Sequence, residues 1–272
     1  MNSQSKFNQY EYLEISETET SHGRIVSVFL NNPNSRNSMT WKMGEEFYHL
    51  IQQIWKQKNL PRALVLSGKN DVFCAGGDLN LLRSFSEKSF SQNKRDMKKF
   101  YSFFLSVRDL PIPVIAACNG HAIGAGLSLA FACDFRIFAE EGKYSFNFVR
   151  LGIHPGMGSS YLAPELLGKS LGTFLLMSGD QFDGKRAKEI GLAYDVVTKQ
   201  KVIERAMELA ESLTKASPLA IQELKANLYS KKKLDQALKK EAESQARNFI
   251  SEDFKETIQS ILEKREPKFL GR

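Results

Sequence analysis

Two glycine-rich turns, each following an apolar run, carry the chemistry available to this chain. In the segment from Pro113 to Asp134, Val114 to Cys118 reads as a buried strand. Asn119 and Gly120 break it, Gly124 and Gly126 follow, and the small apolar residues Leu127 to Ala132 suit a packed helix. A strand, a glycine turn and a helix start together leave backbone N–H groups free at a helix N-terminus, where they and the helix dipole stabilise negative charge. Close packing alone also produces a Gly-x-Gly at a helix start, so the pattern needs a second observation. Ala63 to Ser67 supplies it as another apolar strand, followed by a glycine-containing stretch from Gly68 to Leu79. Two such turns could present one N–H apiece to a single oxygen atom.

Phe-Cys-Ala-Gly-Gly-Asp at Phe73 to Asp78, with Asn-Gly-x-Ala-x-Gly-x-Gly at Asn119 to Gly126, resembles the enoyl-CoA hydratase/isomerase (crotonase) superfamily. The resemblance runs from about Arg24 to Phe269. It implies an oxyanion hole for a CoA thioester, with Ala75 and Ala125 as the backbone donors. Such donors stabilise the oxygen of an enolate more than that of the bound substrate, and losing one typically costs ~10²–10³ in rate. A purely structural role for both turns is the competing reading. The resemblance also implies that Arg36 meets the CoA phosphates, that Gly76, Gly77 and Asp78 line the same side, and that Lys264 reaches CoA from a neighbouring subunit. An ordinary solvated charge is the alternative for each basic residue.

The chain departs from the family at the acids. The hydratase scheme uses two carboxylates, one to activate water and one to deliver a proton. Their positions here hold Ser128 and Phe148, and the isomerase acid position holds Gly156. Two groups could substitute. His154 lies within two residues of the isomerase position, and an imidazole can exchange protons; bonding to loop backbone is its structural alternative. Ser128 could orient water or a substrate carboxylate. The expected function is therefore an enoyl-CoA hydratase/isomerase-like acyl-CoA enzyme that stabilises an enolate without the usual glutamates. Decarboxylation of a malonyl-type CoA, and a non-catalytic acyl-CoA-binding subunit, are the alternatives. Coenzyme A enters as part of the substrate, and neither a permanently bound cofactor nor a metal is expected.

The remaining side chains bound the class. The three cysteines, Cys74, Cys118 and Cys133, have no metal-ligand spacing and fit a reducing compartment. Cys74 adjoins the first turn and is either a nucleophile or, as is more common, a buried small hydrophobe. The net charge of +7 lies largely late in the chain. There the lysines alternate with Glu241, Glu243 and Glu256 in helical sequence, so solvated helix faces are expected rather than nucleic-acid binding. No apolar run approaches membrane-spanning length, and the opening residues Met1 to Phe7 lack a leader's apolar region, so a cytoplasmic location is expected.

The elements that must position the turns are legible in outline. Tyr10 to Ile15 and Arg24 to Leu30 read as strands joined by a polar loop. Thr40 caps a helix whose Phe47, Leu50, Ile51, Ile54 and Trp55 recur at helical spacing. Further strands are expected near Asp134 to Ala139 and Tyr144 to Phe146. Ser84 to Asp96 is serine-rich and weakly periodic, which predicts either a mobile lid or a surface loop. From Lys201 onward the chain reads as helices, with Val202, Ala206, Leu209, Ala210 and Leu213 on one stripe, a second helix opening at Pro218 and a third from Leu234. Alternating strands and helices give an α/β class. The resemblance implies a right-handed spiral of β-β-α units over 1–200 as the acyl-CoA-binding core. It implies a helical oligomerisation and lid region over 201–272, and a homotrimer or dimer of trimers.

Overall fold

The computed structural model describes residues 10–272, so the leader reading at Met1 to Phe7 lies outside the described residues. Strands β1 (Leu13–Thr20) and β2 (Gly23–Leu30) pair antiparallel, from Leu13 opposite Leu30 to Thr20 opposite Gly23. The first strand thus starts later and runs further than Tyr10 to Ile15, and the polar stretch expected as a loop is strand. Only Leu13 of β1 is buried. An edge strand tolerates exposed glutamates and threonines, and its charge discourages further pairing.

Helix α1 (Trp41–Trp55) begins where Thr40 accepts a hydrogen bond from the Met43 N–H, and it buries Phe47, Leu50, Ile51 and Ile54. Trp55, expected on that stripe, is 49% exposed. The chain then repeats one pattern three times. The pairs are β3 (Ala63–Gly68) with β4 (Val72–Cys74), β5 (Val114–Cys118) with β6 (His121–Ile123), and β7 (Phe135–Ala139) with β8 (Tyr144–Ser145). The first strand of each pair enters a six-stranded sheet that also holds β9 (Asp195–Val197), in the order β1-β2-β3-β5-β7-β9; the second enters a three-stranded sheet, β4-β6-β8. The other pairings among these strands are parallel, and Tyr144 of β8 makes an isolated antiparallel bridge with Phe182. Helices close each turn: α2 (Leu79–Ser86) and α3 (Phe90–Leu105), then α4 (Ala125–Ala132), then α5 (Ser159–Leu167), α6 (Lys169–Ser178) and α7 (Gly184–Glu189). This is the expected right-handed spiral of β-β-α units, the hand that parallel crossovers take. The three-residue strands β4 and β6 are too short to register as periodicity.

Ser84 to Asp96 is not a surface loop: it spans the end of α2, a three-residue link over Glu87 to Ser89 and the start of α3. Ser89 and Gln92 form a capping box that starts α3, and Phe85, Asn93 and Met97 are buried beneath it. The serines that looked like loop composition are cap and surface residues.

The C-terminal helices are α8 (Val202–Thr214), α9 (Pro218–Leu228), α10 (Lys231–Asn248) and α11 (Glu252–Glu263). Ser251 caps α11, so the expected third helix is two. The α8 stripe of Val202, Ala206, Leu209 and Ala210 packs on one face of the large sheet against Ile25, Val65, Ile115 and Ile137. Lys225 of α9 pairs with Asp134 at 2.6 Å while Tyr229 donates to the same carboxylate at 2.8 Å, tying the helices to the start of β7. Among the described residues no helix is long and apolar enough to cross a membrane.

Candidate active site

The two glycine turns meet because the second sheet brings β4 and β6 side by side. A β-carbon on Gly126 would overlap the Cys74 carbonyl oxygen, so only glycine lets α4 approach the end of β4 this closely. Gly124 precedes α4 at φ 53° and Gly76 turns the other segment at φ 98°.

The hydrogen bonds correct one expectation. The Ala75 N–H donates to the Arg36 carbonyl oxygen at 3.1 Å and therefore points away from α4. The next donor along is placed differently. Met39 N–H donates to the Gly76 carbonyl at 2.7 Å, and Asp78 N–H donates to the Met39 carbonyl at 3.0 Å. A planar trans peptide points its C=O and N–H in opposite directions. The Gly77 N–H consequently faces away from Met39, as the Cys74 carbonyl faces away from Arg36 onto Gly126. A β-carbon on Gly76 would stand 3.8 Å from the Ala125 nitrogen. Among the described residues, neither the Gly77 N–H nor the Ala125 N–H has a hydrogen-bond acceptor.

These turns form one end of a narrow pocket of about 80 Å³, which Ala75, Gly76, Gly77 and Ala125 all line. Its remaining wall is hydrocarbon and aromatic, with Phe85, Phe100, Phe148 and Phe249 prominent. Three polar side chains reach it: Asn147, Tyr101 and Gln245. Among the described residues, no carboxylate, histidine or lysine lines it. Tyr101 is the one lining residue that titrates, and burial pushes its hydroxyl well above the usual phenol range, with Glu241 adding to the effect.

Phe148 and Gly156, which the resemblance sets at the second acid and isomerase positions, both line the pocket. Ser128 does neither of the things expected of it. It is fully buried, and its Oγ donates to the Gly124 carbonyl one turn back at 3.0 Å, as serines inside helices do. His154 is also turned from the pocket lining. Its Nδ1 lies 2.6 Å from the Pro155 carbonyl, its N–H donates to Asn248, and its carbonyl accepts from Gln245. Backbone bonding within its loop holds the ring there.

Asp78 caps α2, accepting from Asn80 N–H at 2.9 Å and Leu81 N–H at 3.1 Å. Arg36 is exposed beside the first turn with left-handed backbone, and Lys264 is exposed at the end of α11. Cys74 is fully buried, and burial pushes its thiol up to about 12, the behaviour of a packed hydrophobe rather than a nucleophile. Among the described residues no group of three histidines, cysteines or acids is placed to hold a metal ion.

Sequence reasoning missed Tyr101, Gln245 and Glu241. Tyr101 falls on a stripe with Met97, Phe100 and Phe104 whose spacing already marks a buried helix face. Glu241 and Gln245 lie one turn apart on α10, in line with Leu234 and Ala242. Glu241 is no solvated face residue. It is fully buried and accepts from Gly158 N–H at 2.7 Å, Ser160 N–H at 2.9 Å and Ser160 Oγ at 2.5 Å, at the start of α5. A carboxylate is well placed at a helix N-terminus.

The comparisons with known proteins agree with this geometry. A family profile described as enoyl-CoA hydratase/isomerase matches residues 20–272. Enoyl-CoA isomerase/hydratase fer4 of Mycosarcoma maydis is 31% identical over 91% of this chain and 93% of its own. The 2,3-dehydroadipyl-CoA hydratase of Escherichia coli is 30% identical over 92% and 96%. Among solved structures, the decarboxylase domain of CurF from Lyngbya majuscula superposes with a TM-score of 0.77 at 26% identity, covering 91% of this chain and 98% of that one. With the fold, the paired turns and a profile match across nearly the whole chain in agreement, this protein belongs to the enoyl-CoA hydratase/isomerase family.

Proposed function

We propose that the protein acts on an acyl-CoA thioester and stabilises an enolate on the thioester oxygen through the N–H groups of Gly77 and Ala125. The observation that carries this is the pair of N–H groups without acceptors at the end of an apolar pocket. Ala75 gives way to Gly77 because its own N–H is bonded to Arg36. Preorganised backbone donors in a dry site act on developing charge without reorganising. Arg36 at the exposed end of the first turn is the proposed phosphate partner of CoA, and Lys264 reaches CoA from a neighbouring subunit of a homotrimer. Exposed apolar residues on α6, Phe174 and Met177, support self-association.

A second reading concerns the reaction. Among the described residues no carboxylate lines the pocket to activate water as a base would. Loss of CO₂ from a malonyl-type thioester needs no base: the C–C bond to the carboxylate breaks, its electron pair passes to the thioester oxygen, and a proton then quenches the α carbon. The resemblance to a decarboxylase domain supports this route. A panel of CoA esters separates the possibilities by product mass. Loss of CO₂ from malonyl-type esters supports decarboxylation, addition of water to enoyl esters supports hydration, and binding without turnover supports a silent acyl-CoA-binding subunit.

A further inference from the structure

The room that a side chain at Gly156 would need is already filled. A β-carbon there would stand 2.7 Å from Gln245 Nε2 and 2.8 Å from Tyr101 Oη. All three residues line the pocket, so a polar pair from α3 and α10 stands at the position that the resemblance gives to the isomerase acid. Tyr101 Oη donates to Gln245 Oε1 at 2.7 Å, and Gln245 Nε2 donates to the His154 carbonyl at 2.7 Å. A backbone carbonyl only accepts, which fixes the amide's orientation with nitrogen toward His154. Counting donors and acceptors leaves a lone pair on Tyr101 Oη and a second N–H on Gln245 Nε2. Among the described residues neither has a further partner. Each of these atoms already has one partner, and the valence left over faces a hydrocarbon wall where a ligand could use it.

We propose that Tyr101 and Gln245 together select an acyl chain bearing a neutral hydroxyl, which donates to Tyr101 Oη and accepts from Gln245 Nε2. The inference rests on the acyl-CoA reading above. A carboxylate on the chain only accepts and would face the Tyr101 lone pair. An ammonium only donates and would meet the Gln245 N–H. A methyl group would leave both valences empty. Only a group that donates and accepts at once satisfies the pair. A bound water has the same chemistry, and the experiment separates the two sources.

Dissociation constants are measured by calorimetry for butyryl-CoA, 3-hydroxybutyryl-CoA and 4-hydroxybutyryl-CoA on the full-length wild type, Tyr101→Phe and Gln245→Leu. A site built to hydrogen-bond a hydroxyl discriminates strongly against its absence, so one hydroxy ester should bind the wild type at least ~10-fold tighter than butyryl-CoA. In Tyr101→Phe the ratio of the hydroxy-ester to the butyryl-CoA affinity should collapse toward one; Gln245→Leu supplies the same reading should the first variant not fold. Equal affinities in the wild type, with both esters weakened alike by Tyr101→Phe, would mean the pair holds water and would overturn the proposal. So would a hydroxyl preference that survives both substitutions. Failure of every ester to bind would overturn the acyl-CoA reading itself, and this inference with it.

Discussion

The Cys74 carbonyl oxygen rests against the α-carbon of Gly126, and this contact brings the two turns into one site. No side chain fits between them. Gly126→Ala should therefore force β4 and α4 apart and cost about 1–3 kcal/mol, as other overpacking changes do. Thermal melting should show the lower stability, and turnover should fall with it because the separation of the donors changes. A variant with wild-type melting and turnover would contradict the contact.

Removing the donors one at a time gives a sharper prediction. Ala125 occupies the first helical position of α4, where proline is tolerated and only the N–H is lost. Ala125→Pro and Gly77→Pro should each lower kcat by ~10²–10³ with the fold retained. His154→Ala should change kcat by less than ~3-fold, because its ring faces Pro155 rather than the pocket. A large loss in His154→Ala with intact donors would return the histidine to the chemistry.

Crotonyl-CoA hydration should be slower than in a two-glutamate hydratase by the ~10²–10⁴ that each positioned acid or base contributes. The prediction rests on Phe148, set by the resemblance at the second acid position, lining the pocket and on Ser128 bonding to its own helix. Fast hydration by protein purified from a hydratase-free host would contradict it.

Much of this was legible in the sequence, and the rest was hidden for identifiable reasons. The apolar runs at Ala63 and Val114, the Thr40 cap and the glycine pairs marked an α/β fold and the place of the site, and the spiral came through the family resemblance alone. Which N–H faces the pocket was not legible, because peptide orientation depends on Arg36 and Met39 from an earlier segment. Two of the pocket's three polar side chains come from α3 and α10, helices far apart in the chain. Tyr101 and Gln245 read singly as unremarkable helix residues and become a pair only in the fold.

Glu241 should make stability depend on pH. Burial pushes its carboxyl up to about 7, with the bonds from Ser160 and Gly158 acting in the opposite direction. A carboxyl raised in the folded state favours folding while it is protonated. Its contribution is full below the ordinary carboxylate range and is lost as pH rises through about 7. Taking the shift at face value gives at most ~3 kcal/mol across that window. Between pH 5 and 8 the wild type should lose melting temperature relative to Glu241→Gln, which cannot ionise. Parallel pH profiles would show that Glu241 is charged throughout.

The most direct test of the oxyanion assignment reads the thioester carbonyl itself. An acyl-CoA carrying ¹³C at the thioester carbon is bound to the protein, and its C=O stretch is followed by isotope-edited infrared difference spectroscopy. Two backbone donors on one oxygen weaken that bond, so the band should move to lower frequency on binding to the wild type and to His154→Ala. The shift should shrink in Gly77→Pro and in Ala125→Pro. A bound thioester whose carbonyl band stays at its solution frequency, or a shift untouched by both proline substitutions, would contradict the account.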